Sequence, residues 1–286
     1  MSRVSPTVAQ FEFAGRIRHL RERKALTAAA VATHLGFSRN FYSAVENSRT
    51  LLADDRLKPL IRMLDLGRTE ALDLTELLAV AKRPAWWHRY SSGKASEFDR
   101  LLGLEYGASK ILSYESLVFH GLLQTEEYAR SVVEASPETS PVSVDQAVAR
   151  RLQRQTELLG EADPPKMVFL CSEAVLMQQF GGRKVLKAQL VHVLDLAERL
   201  ESRLDFRVQR FDATPLGLTT ASTLVLLDFE NDFIPEIAYR EAGIPIGIDT
   251  DFEVVGRLHA HMEQAERSTM NHMDSLALIR QRVREI

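Results

Sequence analysis

Thr27 and Ser38 stand immediately ahead of two short runs, Ala28–Leu35 and Arg39–Glu46, and Gly36 lies between them. That spacing constrains the chain more than any other feature. A Thr or Ser before an apolar-periodic run accepts a hydrogen bond from a free helix N–H, and a Gly just after a run ends the helix. AAAVATHL places Val31, Ala32 and Leu35 on one face; RNFYSAVE places Tyr42 and Val45 at i and i+3, with Phe37 just ahead of the cap. The expected unit is therefore two helices of little more than two turns, joined by Gly36-Phe37-Ser38. Such short helices bury too little to stand alone and need neighbours. Phe13, Ile17 and Leu20 recur at i, i+4, i+7 among Arg16, Arg18, Arg21 and Arg23, which predicts a basic amphipathic helix over 13–24. Asp54–Leu66 and Leu74–Ala81 are predicted as two further helices, with Pro59 compatible only with a place near a first turn.

The 286 residues carry a net charge of −3, but the total hides an asymmetry. Residues 1–50 hold 8 Lys+Arg against 3 Asp+Glu, whereas residues 51–286 hold 28 against 36. A basic module thus precedes an acidic body, and a basic module is the electrostatic footprint of phosphate-backbone binding. The lone cysteine, Cys171, excludes an internal disulfide and a Cys-rich zinc site. No apolar run approaches the ~18 to 20 residues of a bilayer span, and Met1–Gln10 has no apolar core of a signal peptide. The expectation is a cytoplasmic chain with no membrane association.

Lys82–Lys94, with a proline, two tryptophans and an SSG run, reads as the linker, giving domains at 1–82 and 95–286 around a linker at 83–94. Trp86 and Trp87 are expected to act as a docking element at that junction. Beyond it, Asp99–Leu112, Thr125–Glu134 and Val144–Leu159 are predicted helical, and Pro164-Pro165 ends the last of these. The period then changes. Met167–Cys171, Phe206–Phe211, Thr223–Phe229, Glu236–Arg240 and Ile244–Ile248 are short β-prone runs, with helices expected over 174–200, 252–266 and 274–283. The fold class is α+β, mainly α: an all-helical N-terminal domain followed by helices around a small β-sheet.

Leu26–Ser48 resembles the helix-turn-helix of the lambda-repressor-like (Xre) regulators at Leu26-Thr27, Val31-Ala32, Leu35-Gly36-Phe37-Ser38, Tyr42 and Val45-Glu46-Asn47. The resemblance implies that Arg39, Asn40 and Ala44, with Ser43 beside them, face the major groove of double-stranded DNA. Arg suits guanine O6/N7 and Asn suits adenine N6/N7. It also implies that Thr27, Ser38 and Arg49 contact phosphate. Ala28 stands where the family often has Gln, and Ser48 where it often has Gly. Leu101–Arg130, Ala149–Leu159, Ser172–Leu176, Gly181–Ala197 and Tyr239–Glu241 are similar to the large C-terminal domain of actinomycete antitoxin-like members of that group. Phe119-His120 departs from their Val-Pro before the GLLQT stretch, Gly121–Thr125.

Other constellations carry less. His259 and His261 lie two apart on an expected helix and so on different faces, and with His272 they make no metal site. Cys171 sits in an apolar run as a small hydrophobe. Arg150, Arg151 and Arg154 are expected to pair with nearby carboxylates, the rival being an acidic partner or a second phosphate backbone. No nucleophile elbow, phosphate loop or zincin motif occurs, so no enzyme activity and no cofactor are expected. The sequence supports a sequence-specific transcriptional regulator, a homodimer whose C-terminal domain responds to a partner or small-molecule effector. The alternative is an antitoxin-like interaction module that binds a small companion protein and autoregulates its own operon.

Overall fold

A computed structural model describes residues 5–90, 96–136, 143–214, 223–241 and 247–286. They form two compact units, one of Met1–Arg89 with Phe229–Pro235, the other of Tyr90–Asp228 with Glu236–Ile286.

The first unit holds α1 (Pro6–Arg23), α2 (Ala28–Leu35), α3 (Arg39–Glu46), α4 (Asp54–Met63) and α5 (Arg68–Ala81). Its core joins Phe13, Ile17 and Leu20 of α1 to Val31, Ala32 and Leu35 of α2, Tyr42 and Val45 of α3, and Leu57, Leu60, Leu74 and Leu78 of α4 and α5. The apolar faces expected of the first three helices are thus the ones buried. α5 begins six residues before the expected Leu74, where Glu70 accepts the Gly67 N–H at 3.3 Å. Its first turns are solvated, with Leu72 itself exposed, so no apolar period marks them. Pro59 lies inside α4, past the first turn, a correction to its expected place. The carbonyl left without a partner belongs to Asp55, which is exposed and reachable by water. At Gly15 a Cβ would strike the Phe233 carbonyl, so only glycine fits, and the Arg16 guanidinium lies 4.9 Å from the Phe233 ring centre. Trp86–Tyr90, within the stretch expected as linker, forms a 3-10 turn in which Trp87 is buried.

The second unit is built on a six-stranded mixed sheet in the order β3-β2-β1-β4-β5-β6. Its strands are β1 (Lys110–Glu115), β2 (Lys166–Ser172), β3 (Leu204–Gln209), β4 (Thr223–Asp228), β5 (Ile237–Glu241) and β6 (Gly247–Asp249). β1 pairs parallel with β2, and β2 with β3, while β1–β4, β4–β5 and β5–β6 are antiparallel. Around it lie α6 (Glu97–Gly107), α7 (Glu126–Glu134), α8 (Val144–Leu159), α9 (Arg183–Leu200), α10 (Phe252–Arg267) and α11 (His272–Glu285).

The central strand is the one the sequence concealed. Asp99–Leu112 was expected as one helix, but α6 ends at Gly107 and Lys110–Glu115 is extended, with the Ser109 N–H donating to the Asp228 carbonyl at 2.9 Å. The expected helix over 174–200 likewise divides into a 3-10 turn, Glu173–Leu176, and α9 from Arg183, separated by Gly181 and Gly182 at φ 73° and 88°. Left-handed backbone at two successive residues cannot continue a helix. Most of the expected strand Ile244–Ile248 lies outside the described residues.

Alternation along the strands divides the sheet into two unlike faces. Leu112, Tyr114, Val168, Leu170, Leu224, Leu226 and Ala238 pack against Val255, Met262 and Ala265 of α10 in an apolar layer. The opposite face carries Ser113, Glu115, Phe169, Cys171, Thr223 and Tyr239, and it is there that polar groups converge.

Candidate nucleic-acid interface

Both short helices of the first unit are capped as their sequences require. Thr27 Oγ1 accepts the Ala30 N–H at 3.1 Å, Gly36 ends α2 at φ 73°, and Ser38 Oγ accepts the Phe41 N–H at 3.2 Å. α3 turns Tyr42, Val45 and Glu46 inward, and Arg39, Asn40 and Phe41 are exposed. Thr27, Ser38 and Arg49 are exposed as well, whereas Ser43 and Ala44 are half-buried. Ser43 is also engaged, since Asn47 Nδ2 donates to its carbonyl at 2.8 Å and to its hydroxyl at 3.2 Å. Apart from Arg49, just past the end of α3, the exposed positions cluster at the N-terminal turn of α3 and around the N-terminus of α2. Those are the ends at which free N–H groups favour an anion.

Most of the basic charge of this unit is spent internally. Arg21 donates to both carboxylate oxygens of Glu46, at 2.6 and 3.1 Å, and to the Leu26 carbonyl at 2.8 Å. Arg18 donates to the Glu46 carbonyl at 2.6 Å and to Asn47 Oδ1 at 2.7 Å. Glu46 is thus a buried strut tying α1 to α3. Arg16 pairs with Glu12 at 2.6 Å and Lys24 with Asp65 at 3.2 Å. Arg39 and Arg49, one opening α3 and one just past its end, make no side-chain ion pair or hydrogen bond among the described residues. Beside α3 these two guanidinium groups are uncommitted among the described residues, whereas Arg18 and Arg21 are engaged.

Ser48, just past α3, adopts φ 56°. Left-handed backbone costs an L-residue roughly 1 kcal/mol relative to Gly. Gln10 Nε2 donates to the Ser48 carbonyl at 2.9 Å and holds the turn.

The second unit brings together groups that no sequence motif announced. Arg154 of α8 grips Glu105 of α6 through two hydrogen bonds, Nε–Oε2 at 2.7 Å and Nη2–Oε1 at 2.6 Å, with both side chains buried. Burial pushes the Glu105 carboxyl up, against the pull of Arg154. His120 stacks on Phe169 at 4.5 Å, and burial, then Arg154 and Arg151, hold its imidazole well below the usual range. It is therefore neutral, and its 3.8 Å approach to Glu105 is no ion pair. Arg150 lies 3.7 Å from Asp99, so two of the three arginines meet carboxylates as expected. Arg151 instead donates to Gln124 Oε1 at 3.1 Å and to the Ala129 carbonyl at 3.4 Å, and burial lowers its pKa to about 10. Glu115, at the end of β1, accepts from Ser113 Oγ at 3.1 Å and from Thr223 Oγ1 at 2.6 Å, and burial pushes its carboxyl up to about 8. Alternation along β1 would have placed Ser113 and Glu115 on one face had the strand been recognised.

His120 adopts φ −53°, within proline's range, so the loop keeps the course that Pro would have imposed. Three glutamines hold that loop. Gln124 Nε2 donates to the Phe119 carbonyl at 2.6 Å, Gln155 Nε2 to the carbonyls of Gly121 and Gln124 at 2.7 and 2.8 Å, and Gln189 Nε2 to the Leu123 carbonyl at 2.6 Å.

Elsewhere, His259 meets Glu236 at 2.8 Å and His272 Nδ1 accepts the Phe206 N–H at 3.0 Å. Among the described residues no three His, Cys, Asp or Glu side chains are grouped to hold a metal ion, and no helix is long and apolar enough to cross a membrane. Cys171 is buried, and burial pushes its thiol up, away from the reactive thiolate.

A five-helix core containing two capped short helices joined by a tight turn defines a helix-turn-helix protein, and the helix-turn-helix domain profile matches residues 12–74. The chain belongs to the family described as domain of unknown function (DUF5753), whose profile matches residues 98–281. Comparison with the curated proteins and with the solved structures finds no match. A DNA-binding domain of this kind points to DNA binding and transcriptional regulation rather than to catalysis.

Proposed function

We propose that this protein is a sequence-specific DNA-binding regulator that reads a two-fold-symmetric operator as a homodimer. The observation that carries this reading is the pair of guanidinium groups, Arg39 and Arg49, at the two ends of α3, which make no side-chain ion pair or hydrogen bond among the described residues while Arg18 and Arg21 beside the same helix are engaged. Arg39 and Asn40, exposed in the first turn of α3, reach base edges. Thr27 and Ser38 accept the capping N–H groups and keep their hydroxyl hydrogens for phosphate oxygens. Ala44 and Ser43 line the groove-facing side behind them. One recognition helix of two turns buries too little for tight specific binding, which calls for two half-sites about 34 Å apart.

Selection of bound sequences from a random DNA pool by the full-length protein tests this, and an enriched palindrome with half-sites about one helical turn apart is the expected result. Enrichment of a single unrepeated half-site would overturn the dimer. The two arginines will also separate. Arg39→Ala will relax specificity at one operator position, costing about 1–3 kcal/mol there, whereas Arg49→Ala will weaken all sequences alike and reduce the salt slope by about one. Equal effects of both variants on every sequence, measured by titration at several salt concentrations, would refute these roles.

The C-terminal domain is assigned the modulation of DNA binding, by dimerisation and by response to a partner or small-molecule effector. The convergence of Glu105, Glu115, His120, Arg151 and Arg154 on one face of its sheet supports an effector-responsive reading, because perturbed titratable groups concentrate at functional sites.

A further inference from the structure

Phe41 is the one large hydrophobic residue of α3 that stays exposed among the described residues, at 36%. The core takes Tyr42 and Val45 from this helix and leaves Phe41 outside. A benzene ring left in water on the first turn of a capped helix contributes little to the fold, yet its position is defined. Phe41 leans on Phe37, ring centres 4.4 Å apart, and the Arg56 guanidinium lies 5.6 Å from the Phe37 ring on α4's side. Phe41 is held in place from behind and open in front.

Its neighbours say what it faces. Ala44 lies three residues on, at i+3, and so beside Phe41 on the helix surface. Asn40 lies between this apolar pair and the arc that carries Arg39 and Ser43. α3 therefore presents two kinds of surface side by side, hydrogen-bonding groups from Arg39 and Asn40 and an apolar edge from Phe41 and Ala44. The major groove offers many donors and acceptors but one apolar group, the 5-methyl of thymine. We propose that Phe41 reads a thymine 5-methyl group in the operator, adding an apolar determinant to the hydrogen-bonding ones. This rests on the DNA-binding reading above and names the base chemistry that one more side chain of the same helix recognises.

The test removes that methyl and nothing else. In the operator recovered by selection, each thymine is replaced in turn by uracil, and the full-length protein is titrated against each duplex. At one position per half-site uracil will weaken binding roughly fourfold, the value of one buried methyl. Phe41→Ala will bind the thymine operator as weakly as the parent binds the uracil one and will be indifferent to uracil there. Because Phe41 touches Phe37, Phe41→Leu is the companion variant, which keeps an apolar side chain and will retain part of the discrimination. The uracil scan of the parent protein needs no variant at all. Specific binding with indifference to uracil at every position, or a Phe41→Ala protein as sensitive as the parent, would overturn the proposal. Failure to enrich any sequence would overturn the DNA-binding reading itself and this one with it.

Discussion

Arg154→Met will cost the protein about 3–5 kcal/mol of stability, because it strands the Glu105 carboxylate in a fully buried site. In the native chain the two hydrogen bonds from Arg154 compensate that charge. Without them the carboxyl must take up a proton or draw water inward, so the deficit will shrink as the pH falls below neutrality. Glu105→Leu combined with Arg154→Met will recover most of the loss, since an apolar pair of similar volume has no charge to desolvate. Denaturant unfolding of the parent and the two variants at pH 5 and pH 7.5 decides the matter. A single-variant loss under about 1 kcal/mol would show that the pair is wetter than its burial indicates.

Glu115→Gln will remove a pH dependence that the parent protein carries. The folded-state pKa of Glu115 is pushed up to about 8 from an ordinary 4.5, chiefly by burial. The native state therefore holds a proton that the unfolded chain releases. Where the unfolded state binds fewer protons, stability falls as pH rises. Glu115 thus contributes fully below its unfolded pKa, and that contribution drains away as the pH climbs from about 4.5 to about 8. At 1.36 kcal/mol per unit the loss is roughly 3–5 kcal/mol. The variant cannot ionise and will be spared it, so its stability relative to the parent will rise across that window. Parallel unfolding midpoints from pH 5 to pH 8.5 would show that Glu115 titrates normally.

The N-terminal unit was legible in the sequence because its determinants are local. Thr27, Gly36 and Ser38 mark helix ends by chemistry that acts within three residues, and the faces of Phe13–Leu20, Val31–Leu35 and Tyr42–Val45 followed from one period. The start of α5 was not legible, since a solvated turn has no apolar period to read. β1 was hidden for the opposite reason. Leu101, Leu102 and Leu104 are followed after six residues, Glu105–Lys110, by Ile111 and Leu112, and a run apolar on both sides of a short break reads as one helix. With β1 went the polar face of the sheet. Glu105, Glu115 and His120 come together with Arg151 and Arg154 only through the parallel pairing of β1 with β2 and the return of α8. Groups brought together by topology leave no spacing in the chain. An aromatic residue beside Tyr42 reads as core in the sequence, and only their exposure in the fold separates Phe41 from Tyr42.

The GLLQT loop has a consequence for the order in which the second unit comes apart. The Leu122 N–H is held by His120 Nδ1 at 3.3 Å, the Leu123 N–H by the His120 carbonyl at 2.8 Å and the Thr125 N–H by Gln189 Oε1 at 2.7 Å. His120 belongs to the loop itself, but Gln189 on α9 and Gln155 on α8, which also hold the carbonyls of Leu123, Gly121 and Gln124, come from distant stretches of chain. Irregular backbone ordinarily opens first and alone, but this segment can open only by breaking contacts with α8 and α9 together. In native-state hydrogen exchange the amides of Leu122, Leu123 and Thr125 will exchange as slowly as those of β1 and β2, through the same global opening. If they exchange faster, the loop is a separate unit, with its glutamines closing over it late in folding.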